Sequence, residues 1–387
     1  MKSLKKKDII GRLCLPFIVA VGVALVLLWV YPYVMVAREQ SLLFLWNADY
    51  FYERLMIPGG MAQWLGECLV QFFYNPYAGA FIYGVLCLMA QLLTSRLIPR
   101  FFWFSLLPPL LIGFLATRFN IPLTFTIALL LTMLLMTLLP KQQKNRLICI
   151  AVLIPIGYWL LGPAIILLLL SCIKWSPVFA IWLAACMLGS SWLTPYPLRQ
   201  IVRGIDYYWE ETNPNTMEEM ECDFLVKTKR WKYVLDRFSA SENPAVQNAV
   251  WVARWQCGLV GKSDLSAYLD FSGRALHSQS SAFIMSDVCM QLGMLQMAGR
   301  CAFEAMETIP NYNKSARVLH RLAVINIING YTEVALKYIS LLEETFAYRD
   351  IAQRLRPLAE HPETIKIHPI YKQLKEIYDN TDDTFFY

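Results

Sequence analysis

The chain has 387 residues, of which 57% are hydrophobic and 17% charged, and its net charge is +6. Soluble globular proteins average about a quarter charged residues, so this composition excludes a chain that is water-soluble throughout. The modest charge, without a stripe of basic and aromatic residues, indicates no nucleic-acid partner.

Polarity divides the chain into two parts. Apolar runs dominate from Leu13 to about Leu193, and the sequence reads as water-soluble from about Ile205 onward. We therefore predict an all-α protein with a multi-span membrane domain at 1–203, whose large first external loop is 37–76, and a soluble helical-repeat domain at 204–387.

The first apolar run, Leu13 to Val36, is longer than the roughly 7–15 apolar residues of a signal peptide. It approaches the about 20 residues that a spanning helix needs, so it predicts a membrane anchor. Further candidate spans are Tyr77–Leu93, Phe101–Ala116, Ile121–Leu139, Leu147–Leu161, Pro163–Ile173 and Pro177–Leu193.

Lys and Arg residues in the short loops predict which side each loop occupies. One set of loops holds Lys2, Lys5, Lys6, Lys7, Arg12, Arg96, Arg100, Lys141, Lys144 and Arg146. The other set holds Arg38, Arg54 and Arg118. The bias predicts a cytoplasmic N-terminus and an extracytoplasmic first loop.

The pair Gly162-Pro163 decides the number of spans. A Gly past a helix end followed by Pro at the next start predicts two helices, hence about seven spans and a periplasmic C-terminal domain. One kinked helix would give six spans instead. Pro163–Ile173 is short for an α-helix that must cross about 30 Å of hydrocarbon.

A polar stripe marks the second half of the first loop. Gln63, Glu67 and Gln71 are spaced four residues apart and share one face of a predicted helix over 61–74. Such a helix lies in the interface with its stripe toward water, or dips into the membrane with its stripe toward a polar cavity.

The C-terminal half contains a repeated pattern of small residues. The first unit carries Gly293, Ala298, Ala305 and Pro310, and the second carries Leu322, Ala323, Gly330, Ala335 and Leu342. Both resemble tetratricopeptide units, in which small residues let two helices approach closely. With two weaker units upstream, they predict a solenoid of about four helix pairs that binds a protein or peptide partner.

Signatures of catalysis and metal binding are scarce. The four histidines show no H-E-x-x-H spacing and the ten cysteines form no C-x-x-C pair, so we predict no cofactor.

Two resemblances add expectations. The segments E-Q-S-L-L-F-L (39–45), P-G-G, Q-F-F-Y and L-G-M-L-Q-M-A-G-R-C-A-F-E-A-M (292–306) resemble an uncharacterised family of bacterial multi-pass membrane proteins with a tetratricopeptide-like C-terminal region. That family brings no assigned activity.

The segment D-Y-F-Y-E-R (49–54) is similar to the acidic-aromatic segment after the first span of C-type membrane glycosyltransferases. That resemblance implies transfer of a sugar from a polyprenyl-phosphate-linked donor. Asp49 would be the general base or hold a divalent cation, and Glu53 or Glu67 would be the second carboxylate. Arg54 or Arg118 would pair with the donor phosphate.

Two hypotheses of function follow. The first is an inner-membrane protein that presents a helical-repeat interaction domain, as a scaffold or accessory factor in envelope assembly. The alternative is a glycosyltransferase at the extracytoplasmic face, with the lipid-linked sugar as its substrate. If the protein is a glycosyltransferase, the acidic-aromatic segment contains catalytic residues. If it is a scaffold, the same segment is an aromatic belt at the membrane surface with solvated charges.

Overall fold

The structure is a computed structural model that describes residues 6–99, 102–211, 213–309, 314–366 and 368–380, with side chains from Cys14 onward. Lys2, Lys5, Arg100 and Pro310, which entered the sequence arguments, lie outside these ranges. Within the described ranges the chain forms α-helices, short 3-10 segments and no strand, so the all-α prediction is confirmed.

The chain divides into two compact units. The first comprises Met1–Arg38 and Asn47–Trp209, and the second comprises Glu39–Trp46 and Glu210–Tyr387. The division after Trp209 differs from the predicted boundary at 203, and the second unit also takes eight residues of the first loop. The chain therefore passes from one unit to the other three times.

The helices of the first unit are α1 Lys6–Trp29, α2 Pro32–Gln40 (whose last two residues count with the second unit), α3 Ala48–Leu55, α4 Gly60–Val70, α5 Pro76–Leu97, α6 Leu107–Ala116, α7 Leu123–Leu138, α8 Gln143–Leu161, α9 Ser176–Leu193 and α10 Leu198–Arg203. Stretches of 3-10 helix cover Gln71–Tyr74, Phe102–Leu106 and Gly162–Trp175.

By length and composition, two helical stretches could cross a membrane: α5 and the continuous run Gln143–Leu193. The pair α1 and α2 would add a third if its two helices, bent by 74°, count as one broken span. Phe102–Ala116 and α7 are apolar but shorter. Association with a membrane is consistent with these helices.

Hydrogen bonds define one end of the first unit, where the loop between α3 and α4 lies. The Gly59 N–H donates to the Trp159 carbonyl near the end of α8 (2.8 Å). The Trp209 N–H donates to the Asn120 carbonyl just before α7 (2.8 Å). The start of α7, the end of α8 and the segment after α10 therefore share this end.

The opposite end is defined by Arg146 in the first turn of α8. Its guanidinium donates to the carbonyl of Pro140 (2.9 Å) and, at the limit of hydrogen bonding, to that of Ser171 (3.5 Å). The chain therefore runs away from the first-loop end between Gly162 and Ser171.

It then returns along α9, which lies beside α8 in the same direction. The Trp182 indole donates to the Ala151 carbonyl (3.1 Å), and the hydroxyls of Tyr158 and Ser190 are 3.0 Å apart. Residues 143–193 thus make three consecutive passes along the bundle.

The 3-10 geometry of the middle pass, from Gly162 to Ser171, lengthens it relative to an α-helix of the same number of residues. The helix break predicted at Gly162-Pro163 is present, because α8 ends at Leu161 and Gly162 has φ 77. Gly162–Trp175 has 14 residues, kinked at Cys172. At about 2.0 Å per residue the residues before this kink extend about 20 Å, against about 15 Å for the same residues in an α-helix. The 19 residues of α8 extend about 28 Å at 1.5 Å each.

The helices of the second unit are α11 Met217–Lys227, α12 Trp231–Phe238, α13 Pro244–Gln256, α14 Gln279–Leu292, α15 Leu295–Glu307, α16 Ala316–Asn329, α17 Thr332–Glu343, α18 Arg349–Glu360 and α19 Pro369–Asp379. Neighbours along the chain pack against each other, as in α14 with α15 and α16 with α17.

A left-handed residue follows the first helix of four successive pairs. These residues are Lys229 (φ 54), Gly258 (φ 74), Gly293 (φ 85) and Gly330 (φ 81). Glycine adopts this conformation without strain, whereas Lys229 adopts it at a cost. After Gly258 the partner of α13 is a 3-10 stretch, Lys262–Ala267, which is why this pair is poorly marked in the sequence.

The small residues of the repeated pattern lie in the core of the second unit. Ala298, Ala305 and Ala335 have no exposed surface. Ala305 belongs to a cluster with Phe283 and Val318 from the helices on either side of α15. Close packing at these positions leaves no room for a larger side chain.

Candidate functional site

The first loop builds a polar cluster from α3 and α4. The Asn47 side chain accepts the Tyr50 N–H (2.8 Å) and so starts α3. Tyr50 and Arg54 are one turn apart and lie on the same face of that helix. Their side chains meet Glu67 of α4.

Glu67 accepts hydrogen bonds from three side chains. Its Oε2 accepts from the Tyr50 hydroxyl (2.7 Å) and from Arg54 Nε (2.8 Å), and its Oε1 accepts from Gln63 Nε2 (2.9 Å). Burial lowers the pKa of Arg54, but the charge of Glu67 outweighs it and raises that pKa above its usual value. Arg54 and Glu67 therefore form a buried ion pair.

The polar stripe of α4 faces the protein interior. Gln63, Glu67 and Gln71 are 7%, 2% and 1% exposed. The interpretation of this helix as lying with its stripe toward water is therefore wrong. Within the stripe, Glu67 bonds to α3 and Gln63 bonds to Glu67, and sequence periodicity alone does not reveal which surface a stripe faces.

A second buried carboxyl, Asp206, lies close enough to interact with Glu67. Its Oδ2 accepts from the Thr124 hydroxyl (2.7 Å) and its Oδ1 from the Trp209 indole (2.8 Å). Burial and the charge of Glu67 raise the pKa of Asp206 to about 6. The cluster thus holds two carboxyl groups and the one arginine cation, Arg54.

Glycines allow the close approach of backbones around this cluster. A Cβ on Gly66 would lie 2.8 Å from the backbone nitrogen of Thr124, and a Cβ on Gly59 would lie 3.6 Å from the Cα of Gly162. Gly59 also has a left-handed φ of 88. The Pro-Gly-Gly segment therefore serves to pack the first loop onto the break after α8.

The structure brings together only part of the predicted catalytic set. Arg54 and Glu67 are paired, whereas Asp49 and Glu53 are exposed on the outer face of α3. Arg118 is also exposed, with its guanidinium 5.0 Å from the centre of the Phe114 ring. Glu67 already accepts three hydrogen bonds, so it is not a free base.

Sequence reasoning did not identify Asp206. It lies in the aromatic segment 206-DYYW-209, and the only available signal was one acid among aromatic residues next to the predicted membrane domain. Among the residues that the structure describes, no group of three or more His, Cys, Asp and Glu side chains could hold a metal ion.

The second unit contains a different kind of site, formed around residues 39–46, which we call the strap. Its residues 42–46 have no regular secondary structure, and Ser41, Leu42 and Phe44 are at most 2% exposed. The strap was expected to be part of the external loop of the membrane domain. Its burial places it in the core of the second unit instead.

Polar groups of two helix pairs bind the strap. Arg317 of α16 donates to Gln40 Oε1 (2.6 Å), and the Ser41 hydroxyl donates to the side chain of Gln279 in α14 (3.0 Å). The Trp46 N–H donates to the carbonyl at the end of α17, on Glu344 (2.8 Å).

Arg317 is the centre of a buried charge network. It makes two hydrogen bonds to Asp223 (2.8 and 2.9 Å) and one to Asp287 (2.7 Å). Asp287 also pairs with Arg321. Burial raises the pKa of Asp287, but the charges of Arg317 and Arg321 outweigh it, so that pKa lies below its usual value.

Comparison with known proteins gives one family. The family model described as "Family of unknown function (DUF6057)" matches residues 7–198 and 173–387. No curated protein and no solved structure matches the chain. The matched ranges include α3, α4, the strap and the paired helices of the second unit.

Proposed function

Since this chain belongs to DUF6057, a family of unknown function, we propose its role from its geometry. It is an integral protein of the bacterial inner membrane that presents a tetratricopeptide-like repeat domain to protein partners on the periplasmic side. In that place it serves as a scaffold or accessory factor of envelope assembly.

The membrane part of the proposal draws on the passes of the first unit. With α1, α5, the segment 102–116 and α7, the three passes within 143–193 make seven spans. An odd number puts the N-terminus and the second unit on opposite sides. Arg146 lies at the end away from the first loop, in agreement with the Lys and Arg bias.

The observation that carries the interaction role is the recurrence of one geometry in the second unit. Left-handed Gly293 and Gly330, 37 residues apart in the sequence, each follow the first helix of a pair whose second helix packs through a fully buried alanine. Stacked helix pairs of this kind form solenoids that bind proteins or peptides.

A membrane glycosyltransferase that uses a polyprenyl-phosphate-linked sugar is the second candidate. It is favoured by Arg54, Glu67 and Asp206 being gathered at the first-loop end. The exposed positions of Asp49 and Glu53 outside that cluster weigh against it. We place the scaffold first for this reason.

Two experiments test the first proposal. Alkaline phosphatase fused after Arg203 should be active, and a green fluorescent protein fusion at the same point should be dark. The reverse result would give six spans and a cytoplasmic repeat domain. Photo-crosslinking amino acids at the exposed positions Phe303 and Tyr331 should give discrete protein adducts in cells, whereas lipid-facing Ile181 should give none. Absence of adducts at both repeat positions would reject an interaction role.

A further inference from the structure

We propose that the second unit is a groove for a peptide in which a carboxyl residue is followed, three and five positions later, by apolar residues, and that the strap is its exchangeable resident occupant. The proposal rests on the interaction role above and specifies the chemistry of the partner. The strap itself supplies the pattern, with Glu39, Leu42 and Phe44.

The strap is bound as a peptide ligand would be. Glu39 and Gln40 end α2 and residues 42–46 have no regular secondary structure; the segment is held by side chains of α14 and α16 and by one backbone bond at the end of α17. Leu42 and Phe44 are buried, whereas Trp46 at its end is 56% exposed. Recognition is therefore concentrated on residues 39–44.

The side chains that the helices place around Glu39 carry one excess positive charge, which one carboxylate would neutralise. Lys227, Arg317 and Arg321 supply three cations against the two carboxylates of Asp223 and Asp287. His320 adds no charge at neutral pH, since burial and the charge of Arg321 lower its pKa to about 4. Burial raises the pKa of Glu39 to about 7 against the opposing charges of Lys227 and Arg317, and ionised Glu39 brings this group to balance.

The strap fills the groove imperfectly. Glu39 is 0% exposed, and neither of its carboxylate oxygens has a hydrogen-bond partner within the described residues. The side-chain nitrogen of Gln40 has none there either. Buried polar atoms without partners are costly. A peptide of the same pattern that satisfies these atoms would therefore displace the strap.

Covalent attachment favours the strap over a free peptide. Both of its ends continue into the chain, so its effective concentration at the groove is about millimolar. An external peptide competes when it binds better than the strap or when the strap is weakened. This gives the proposal a direct test in the full chain.

The test uses the full-length protein in lipid nanodiscs and a dye-labelled peptide of sequence EQSLLFLW, with binding followed by fluorescence anisotropy. Phe44→Ala removes the most buried apolar side chain of the strap, and we expect the peptide to bind this variant at least about tenfold more tightly than wild type. Trp46→Ala is the matched control, because its ring is largely exposed and its loss should change binding little.

Peptide variants test the pattern without altering the protein. Glutamine in place of the peptide's glutamate, or alanine in place of its phenylalanine, should each weaken binding to the Phe44→Ala protein at least about tenfold. Equal binding of all three peptides would overturn the stated chemistry.

Hydrogen exchange in the wild-type protein covers the case in which Phe44→Ala does not fold. The amides of residues 42–46 should exchange faster than those of α14 and α16, because an exchangeable occupant opens without global unfolding. Equal protection of all these amides, or a folded Phe44→Ala protein without peptide binding, would refute the proposal. Retained photo-crosslinks at Phe303 and Tyr331 would then leave the interaction role standing.

Discussion

Replacing Arg317 with methionine tests the energetics of the second unit most directly. Arg317 is 6% exposed and holds both oxygens of Asp223, which is 3% exposed. Asp287 would keep Arg321 after the substitution, but Asp223 would retain a buried charge without its paired cation. Removing one partner of a buried ion pair typically costs about 3–5 kcal/mol, so we expect Arg317→Met to lower the free energy of unfolding by that amount.

The matched control is Arg356→Met in the same unit. Arg356 makes two charged hydrogen bonds to Glu343 (2.7 and 2.6 Å), as Arg317 does to Asp223, but the two side chains are 35% and 27% exposed. Exposed pairs of this kind contribute about 0–1 kcal/mol. The two substitutions therefore remove similar bonds and differ mainly in burial.

Hydrogen exchange of the full chain in detergent is the suitable assay, because it reports the local free energy of opening for the amides of α11, α14 and α16 without requiring two-state unfolding. Asp223→Leu added to Arg317→Met should recover much of the loss, since an apolar pair can replace a buried ion pair. If Arg317→Met costs no more than Arg356→Met, the network does not stabilise the unit as described.

Further predictions concern the first unit. Gly66→Ala should destabilise this unit by about 1–3 kcal/mol, because the added Cβ overpacks against Thr124. Gly22→Ala is the control, because the added Cβ would meet open space, and it should leave the midpoint of thermal aggregation unchanged. Equal aggregation midpoints of the two variants would contradict the close packing at Gly66. Asp49→Asn and Glu53→Gln should each leave the protein level and the phenotype intact, because both carboxylates are exposed. A null phenotype of Asp49→Asn alone, at normal protein abundance, would favour the glycosyltransferase. The infrared band of the protonated Asp206 carboxyl, measured as the difference between wild type and Asp206→Asn, should disappear with a midpoint near pH 6, while Glu39, whose pKa burial raises to about 7, contributes to both proteins. Because the pKa of Asp206 in the folded protein lies above its usual 3.8, the contribution of this carboxyl to stability is lost as pH rises through about 6. A titration midpoint of the infrared band near pH 4 would contradict the burial of Asp206.

The sequence predicted the features that depend on local chemistry. Gly162-Pro163 ended a helix, and Gly293 and Gly330 occupied equivalent turns, because each position needs a conformation that few residues adopt. In each case the signal was carried by one or two residues. Arg54 and Glu67 were candidates only through the resemblance of residues 49–54 to C-type membrane glycosyltransferases.

Features that depend on tertiary contact could not be predicted in this way. The 3-10 geometry of 162–175 shares its apolar composition with an α-helix, so its reach was underestimated. Ser280 is a small polar residue, yet it is buried in the first turn of α14, with its N–H bonded to Asn215 (2.7 Å). The burial of the strap likewise depends on partners more than 200 residues away.

That separation has a consequence for how the chain folds. Ser41 and Gln279 are 238 residues apart, and Gln40 and Arg317 are 277 apart. At about 5–20 residues per second, the ribosome delivers Arg317 some tens of seconds after Gln40. During that interval Leu42 and Phe44 have no groove to enter, so the nascent chain must keep them from aggregation. A fragment that begins at residue 210 would lack the strap altogether, and its core would close only with help from another chain.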